Sequence, residues 1–114
     1  MLATDGPLKG NELTESMARL LRDVLPWGQA FPEPLFEGVF EVVSSRWLKE
    51  RHLKLEVIPD DDNRVHDAIA FSAENMGWPV GGCQRVRLAY HLDVNHFRGR
   101  ERVQLRVKDL QPLD

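Results

Sequence analysis

The chain has 114 residues, of which 42% are hydrophobic and 29% charged, and its formal net charge is −3. This composition is typical of one globular domain and excludes an intrinsically disordered chain. The single cysteine, Cys83, excludes an internal disulfide and favours a reducing compartment, so we expect a cytoplasmic protein. Because no apolar run approaches the roughly 20 residues that span a bilayer, we expect no membrane partner, and we expect no signal peptide.

The first predicted element is an amphipathic helix over residues 11–25, which Asn11 or Thr14 can cap and Pro26 ends. Its stripe recurs at helical spacing and consists of Leu13, Met17, Leu20, Leu21, Val24 and Leu25. Residues 26–34 hold three prolines and a glycine and predict an extended linker, anchored by Trp27 and Phe31. We expect residues 1–35 to be the tail of a preceding domain and residues 36–114 to form the main domain.

From residue 36 onward the sequence is mainly β. Period-two alternation and turn residues predict strands at 36–48, 51–58, 64–72, 85–95 and 100–110. Gly38 is a candidate β-bulge, and residues 73–78 are predicted to form a short helix between strands 3 and 4. Five strands with that helix predict a barrel like the OB fold, which binds oligonucleotides in many proteins, and an SH3-like barrel is the competing topology.

The last two predicted strands have one apolar and one basic face. Residues 85–108 contain seven basic and two acidic side chains, a local charge of +5 in a chain whose total is −3. A row of arginines on a sheet is typical of a surface that binds a phosphate backbone, even in an acidic protein. The alternative is a solvated edge strand whose charges discourage aggregation.

Three stretches resemble the RecJ family, the single-strand-specific DNA exonucleases of bacteria. They are PWGQAFPEPLFEG at 26–38, RHLKLEVIPDDDNRVHDAIAF at 51–71 and LDVNHFRGRERVQL at 92–105. The resemblance implies the C-terminal OB domain of such an enzyme, preceded by the end of its catalytic-half domain (the DHH-associated domain). The family's Asp-His-His motif and its glycine-rich motif with a histidine are absent from this sequence, so no catalytic residue can be carried over. Mn or Mg is expected in the catalytic part of the full enzyme.

The residues themselves predict neither catalysis nor a metal site. The four histidines and Cys83 lack the short spacing of a zinc site, and Asp60, Asp61 and Asp62 lack the glycine and glutamate of an EF-hand loop. We interpret that aspartate run as a solvated turn. No carboxylate pair or nucleophile stands out as a catalytic set. We therefore expect no catalytic residue, metal ligand or cofactor in this chain.

Nucleic-acid binding is the better-supported function. OB barrels bind strands with the face of strands 2 and 3 and with the loops between strands 1–2 and 4–5, and both loops here place an aromatic beside cations. The candidate binding residues are Trp47, Lys49, Arg51, Arg85, Arg87, Phe97, Arg98, Arg100, Arg102 and Arg106. Among them, Arg98, Arg100 and Arg102 are the first candidates for phosphate contacts. For Trp47 and Phe97, packing in the core or at a hinge remains the alternative.

The RecJ resemblance implies a role for this surface. It would guide single-stranded DNA toward the nuclease centre of a 5′→3′ exonuclease of DNA repair and recombination. The implied partners are single-stranded DNA, the catalytic half of the same enzyme and single-strand-binding protein. The alternative is a docking module that contacts the catalytic half or an acidic partner and never touches DNA.

Overall fold

The computed structural model describes residues 4–24 and 33–113. Five strands close into a barrel in the order β1-β2-β3-β5-β4, in which only the β3–β5 pair is parallel. The predicted mainly-β barrel with an N-terminal helix is confirmed. The elements are a 3₁₀ turn at Gly10–Glu12, α1 at Glu15–Val24, β1 at Phe36–Leu48, β2 at His52–Pro59, β3 at His66–Ala70, β4 at Arg85–Phe97 and β5 at Arg100–Pro112.

The short helix predicted between strands 3 and 4 was wrong, because residues 73–78 form turns. The Met76 N–H donates to the Ala73 carbonyl at 3.0 Å, and the chain does not continue this turn into a helix. Gly77 has a φ of +89°, which right-handed helices do not use. The Ala73 N–H donates instead to the Arg51 carbonyl at 2.7 Å, which ties the segment to the start of β2.

The β-bulge lies at Val43 rather than at Gly38. The pairing of β1 with β2 shifts by one residue between Val42 and Ser44, whereas Gly38 stays in the ladder opposite Leu88. Val42 packs against the core opposite Val57. Because the bulge adds one residue, the alternation then changes sides, and Ser44 and Arg46 face outward.

The barrel interior is filled by the apolar side of every strand. Val86, Leu88 and Tyr90 of β4 are buried against Leu105 and Val107 of β5, as their alternation predicts. The barrel core further includes Leu53, Leu55, Val57, Ala68 and Ala70, and Trp78 packs against it from the loop before β4.

The N-terminal segment packs on this barrel. Leu13 and Ala18 are buried in the same cluster as the strand side chains, and Met17 and Leu21 pack against it. The stripe predicted to await a missing neighbour is therefore partly covered by the barrel itself, although Leu20 remains exposed. Thr14 caps α1, because its Oγ1 accepts from the Met17 N–H at 3.1 Å. The domain boundary at residue 35 stays a prediction.

The three aspartates of the β2–β3 turn each have a separate structural partner. Asp61 accepts from the Gly10 N–H at 2.9 Å and so holds the 3₁₀ turn against the barrel. Asp60 forms an ion pair with Arg85, and Asp62 with Arg64. The turn that was interpreted as solvated is therefore a junction between the N-terminal segment, β3 and β4.

The β1–β2 hairpin turns through two residues in the left-handed region. Lys49 has a φ of +53° and Glu50 of +58°, and the Arg51 N–H donates to the Leu48 carbonyl at 3.1 Å. These are the features of a type I′ turn, which favours glycine at its second central position. We expect Glu50→Gly to raise the free energy of unfolding by about 0.5–1 kcal/mol, since it relieves the left-handed strain at some cost in unfolded-state entropy. Urea denaturation measures this, and an equal gain in Glu50→Ala would show that charge, rather than backbone conformation, is responsible.

His66 is buried on the inner side of β3, opposite Val57, and is 8% exposed. Its Nε2 has no hydrogen-bond partner among residues 4–24 and 33–113. Burial lowers the His66 pKa below its ordinary 6.5, and the positive charge of Arg64 lowers it further. The neutral ring is thus preferred in the folded state, and its contribution to stability is present above pH 6.5 and lost as pH falls through the folded pKa.

We expect His66→Leu to be more stable than the parent chain, by about 1 kcal/mol at pH 8, because it removes an unsatisfied buried nitrogen. The gain should be larger at pH 5, where the parent must also protonate a buried ring or remain at a disadvantage to the unfolded chain. Urea denaturation at both pH values measures the difference. Parallel stability-against-pH curves for the two proteins would contradict this assignment.

Candidate nucleic-acid interface

A groove of about 560 Å³ runs along the outside of the barrel between the β1–β2 hairpin and the β4–β5 hairpin. All five strands contribute to it, and this is the position at which OB folds receive a nucleic-acid strand. Its lining consists of Ser44, Ser45, Arg46, Lys54, Glu56, Asp67, Asn95 and Arg102. We call this surface the groove.

Strand register brings the groove side chains together. Arg46 of β1 lies directly opposite Lys54 of β2, and Asn95 of β4 lies opposite Arg102 of β5. Residues directly opposite each other in an antiparallel pair share one face of the sheet, with Cβ atoms about 4.5–5.5 Å apart. The Val43 bulge is what places Arg46 on this outer face, so the groove depends on that irregularity.

The groove has three cations and two carboxylates. Its carboxylates have partners within it: Glu56 accepts from the Ser44 hydroxyl at 2.7 Å, and an Asp67 oxygen lies 3.9 Å from an Arg102 nitrogen. Arg46 and Lys54 form no ion pair with a carboxylate in the part of the chain that the structure describes. Like charges directly opposite on a sheet are destabilising, and an anion bound between them removes that cost.

The predicted residues of the β1–β2 hairpin lie beside the groove. Trp47 is 41% exposed and lies opposite Leu53, so it is on the other face of β1 from Arg46. Lys49 is exposed at the turn. The Arg51 guanidinium donates to the Ser72 hydroxyl at 3.2 Å and is 3.7 Å from a Glu74 oxygen.

The predicted residues of the β4–β5 hairpin lie at the other side of the groove. Arg98 and Gly99 form the two-residue turn with φ values of +52° and +76°, and Phe97 pairs with Arg100 across it. Arg98 and Arg100 are exposed, and Arg102 lines the groove itself. The Phe97 side chain lies outside what the structure describes, as do Trp27 and Phe31.

The remaining predicted cations lie elsewhere. Arg85 is ion-paired with Asp60, and Arg106 donates to Glu33 at 2.7 Å. Arg87 is exposed, but it precedes Asn95, the partner of Arg102, by a stretch of β4 that spans ~26 Å at 3.3 Å per residue. The basic face of the last two strands is thus divided, and its two ends are not one surface.

Sequence reasoning did not identify Arg46 and Lys54 as binding residues. Lys54 was visible as the polar member of the β2 alternation, and its position on strand 2 of an OB barrel was a usable signal. Arg46 was not, because its outward orientation depends on the bulge.

The described residues show no metal centre and no membrane-spanning helix. No group of three or more His, Cys, Asp or Glu side chains there is arranged to hold a metal ion. No described helix has the length and apolar character that crossing a membrane requires.

Comparison with known proteins points to one family. The RecJ OB domain family matches residues 4–109. The single-stranded-DNA-specific exonuclease RecJ of Salmonella typhimurium is 46% identical over 110 residues, and that of Escherichia coli K12 is 45% identical over 112, covering 96% and 98% of this chain. The chain spans about a fifth of these relatives, 19% of each.

A solved structure shares the fold. The crystal structure of RecJ from Thermus thermophilus in complex with Mg²⁺ superposes with a TM-score of 0.69 at 24% sequence identity. The match covers 99% of this chain and 17% of that one. Because the family profile covers nearly the whole chain, from residue 4 to residue 109, this protein belongs to the RecJ OB domain family.

Proposed function

We propose that this chain is the non-catalytic, single-stranded-DNA-binding domain of a RecJ-type 5′→3′ exonuclease, and that the groove holds the phosphate backbone. The observation that supports this most is the pair Arg46 and Lys54, two opposed cations without a carboxylate partner in the described residues, with Arg102 across the same groove. The relatives are named as single-stranded-DNA-specific exonucleases. In this proposal the groove contributes the affinity for an extended strand.

The mechanism is backbone neutralisation with little sequence readout. Cations that bind phosphates release condensed counterions, so affinity falls as salt rises, by about 0.7 log units per log unit of salt for each phosphate on a single strand. The exposed arginines Arg98 and Arg100 at the hairpin would extend the positive field beyond the groove. Base stacking adds affinity without sequence preference.

Cleavage belongs, in this proposal, to the part of the enzyme that this chain does not span. The RecJ of Thermus thermophilus has been solved with Mg²⁺ and with Mn²⁺. The described residues of this chain offer no cluster of metal-binding side chains for such an ion. The chain alone is therefore expected to bind DNA without degrading it.

A titration tests the proposal. A fluorescently labelled single-stranded oligonucleotide is titrated with the 114-residue chain at about 50 and about 200 mM salt. Three phosphate contacts predict a slope of about −2 in log affinity against log salt. Absence of binding at the lower salt concentration would overturn the proposal.

A docking module is the second candidate. It is favoured by exposed apolar side chains at the end of β1 and in the loop before β4, namely Val43, Trp47 and Val80. Such side chains would pack against the remainder of the enzyme, which makes up about four fifths of the relatives. In this alternative the oligonucleotide does not bind at either salt concentration. Binding of single-strand-binding protein remains a prediction from the family resemblance.

A further inference from the structure

The outer face of β2 and β3 continues past the groove to an aromatic pair. Along this face Asp67 lies beside Glu56 and Ile69 beside Lys54. Two residues further along, Phe71 contacts His52, with ring centroids 5.3 Å apart and an edge-to-face angle of 70°. Alternation thus places the Phe71 ring on the same outer face as Lys54, about 7 Å further along the strand.

The Phe71 ring is exposed although its surroundings are fixed. The side chain is 54% exposed, whereas the neighbouring Ala70 and Ala73 are fully buried. The Ser72 N–H donates to His52 Nδ1 at 3.0 Å, which places the proton of the neutral ring on Nε2 and fixes the orientation of the imidazole. Ser72 itself has a φ of +52° and ends the strand immediately after Phe71.

Two further hydrogen bonds hold this corner. The Arg51 guanidinium donates to the Ser72 hydroxyl at 3.2 Å, and the Ala73 N–H donates to the Arg51 carbonyl at 2.7 Å. The corner after β3 is therefore tied to the start of β2 by the two residues that follow Phe71. A large apolar ring that is exposed and rigidly held loses little conformational entropy when a ligand covers it.

The chemistry around this ring fits a nucleobase. Arg46 and Lys54 lie in the adjacent row, and Arg51 lies next to the aromatic pair. Aromatic rings beside cations that follow a phosphate backbone form the usual platform for single-stranded nucleic acid. An aliphatic protein surface would need an apolar rim, whereas this ring is bordered by Lys54, Arg51 and Ser72.

We infer that Phe71, supported by His52, is a base-stacking subsite for a single strand of nucleic acid whose phosphates occupy the groove. This inference rests on the proposed function and adds a residue that the sequence did not single out. The strand would pass along the β2–β3 face, with its phosphates at Arg46 and Lys54 and one base against the Phe71 ring. Stacking is independent of base identity, so the subsite adds affinity without sequence preference.

Three variants test the subsite with a fluorescent oligo-dT of about twelve nucleotides as the probe, within the usual site size of an OB fold. Phe71→Ala and Phe71→Leu should both weaken binding roughly 5- to 150-fold, the range for loss of one stacked base, whereas Phe71→Trp should bind at least as tightly as the parent. The slope against salt should not change, because no phosphate contact is removed. Thermal unfolding of each variant checks that the fold persists.

An abasic oligonucleotide of the same length is the matched control, and Phe71→Ala should bind it as the parent does. The inference is overturned if Phe71→Leu binds oligo-dT like the parent, or if Phe71→Ala does so while loss of Arg46, Lys54 and Arg102 weakens binding. That second result leaves the groove proposal standing. Absence of oligo-dT binding by the parent at about 50 mM salt would instead overturn the proposed function together with the subsite.

Discussion

Replacing Arg46, Lys54 and Arg102 together by alanine is expected to weaken binding of single-stranded DNA by about a hundredfold or more at about 50 mM salt. The three cations line one groove, and each phosphate contact on a single strand contributes about 0.7 to the salt slope. Losing three contacts should lower the slope by about 2, and its effect on affinity is greatest at low salt. Fluorescence anisotropy titrations between about 50 and about 200 mM salt measure both quantities.

A charge-matched variant makes this result specific. Lys9→Ala/Arg85→Ala/Arg87→Ala removes three positive charges from residues that do not line the groove. The Debye length is about 10 Å at 0.1 M salt, so remote charges influence the groove weakly. We expect this control to bind nearly as the parent chain does. Equal weakening in both triple variants would show a diffuse effect of net charge and would contradict a defined phosphate path.

Leu13→Ala is expected to lower the free energy of unfolding by about 2–5 kcal/mol, the usual cost of truncating a buried leucine. Leu13 is 2% exposed and lies in the same cluster as the barrel side chains, although it precedes α1. Urea denaturation followed by circular dichroism of the barrel measures this. The reason for a large effect is that the cavity would open within the shared core rather than at a surface contact.

Leu20→Ala is the matched control on the same segment. Leu20 is 51% exposed on α1, so its truncation should cost less than about 1 kcal/mol. If Leu13→Ala unfolds at the same urea concentration as the parent, the N-terminal segment is energetically separate from the barrel. That outcome would favour the predicted boundary at residue 35.

The strands were predictable because a half-buried sheet imposes a period of two on its sequence. The predicted first strand, 36–48, coincides with β1, and the other four begin or end within a few residues of β2 to β5. The errors concern features that local pattern does not determine. The bulge at Val43 depends on how β1 pairs with two different neighbours, and residues 73–78 are held in turns by a backbone bond to Arg51.

The candidate site was predictable in its loops and not in its centre. Arg102 and the two hairpins were identified from aromatic residues next to cations in an assumed OB fold. Arg85 and Arg106 have carboxylate partners 25 and 73 residues away in the chain, and such pairings cannot be seen in a single sequence. Arg46 was missed because its face was assigned from an unbroken alternation.

The extra residue at position 43 has a consequence for comparing members of this family. Whether a basic side chain near the end of β1 meets the ligand or turns toward the barrel depends on how many residues precede it, as well as on which residue it is. A gap placed one position away in an alignment of this strand would exchange the ligand-facing set Ser44 and Arg46 for Ser45 and Trp47. Homologues that shed this residue would lose a cation from the DNA path while keeping nearly the same amino-acid composition in the strand.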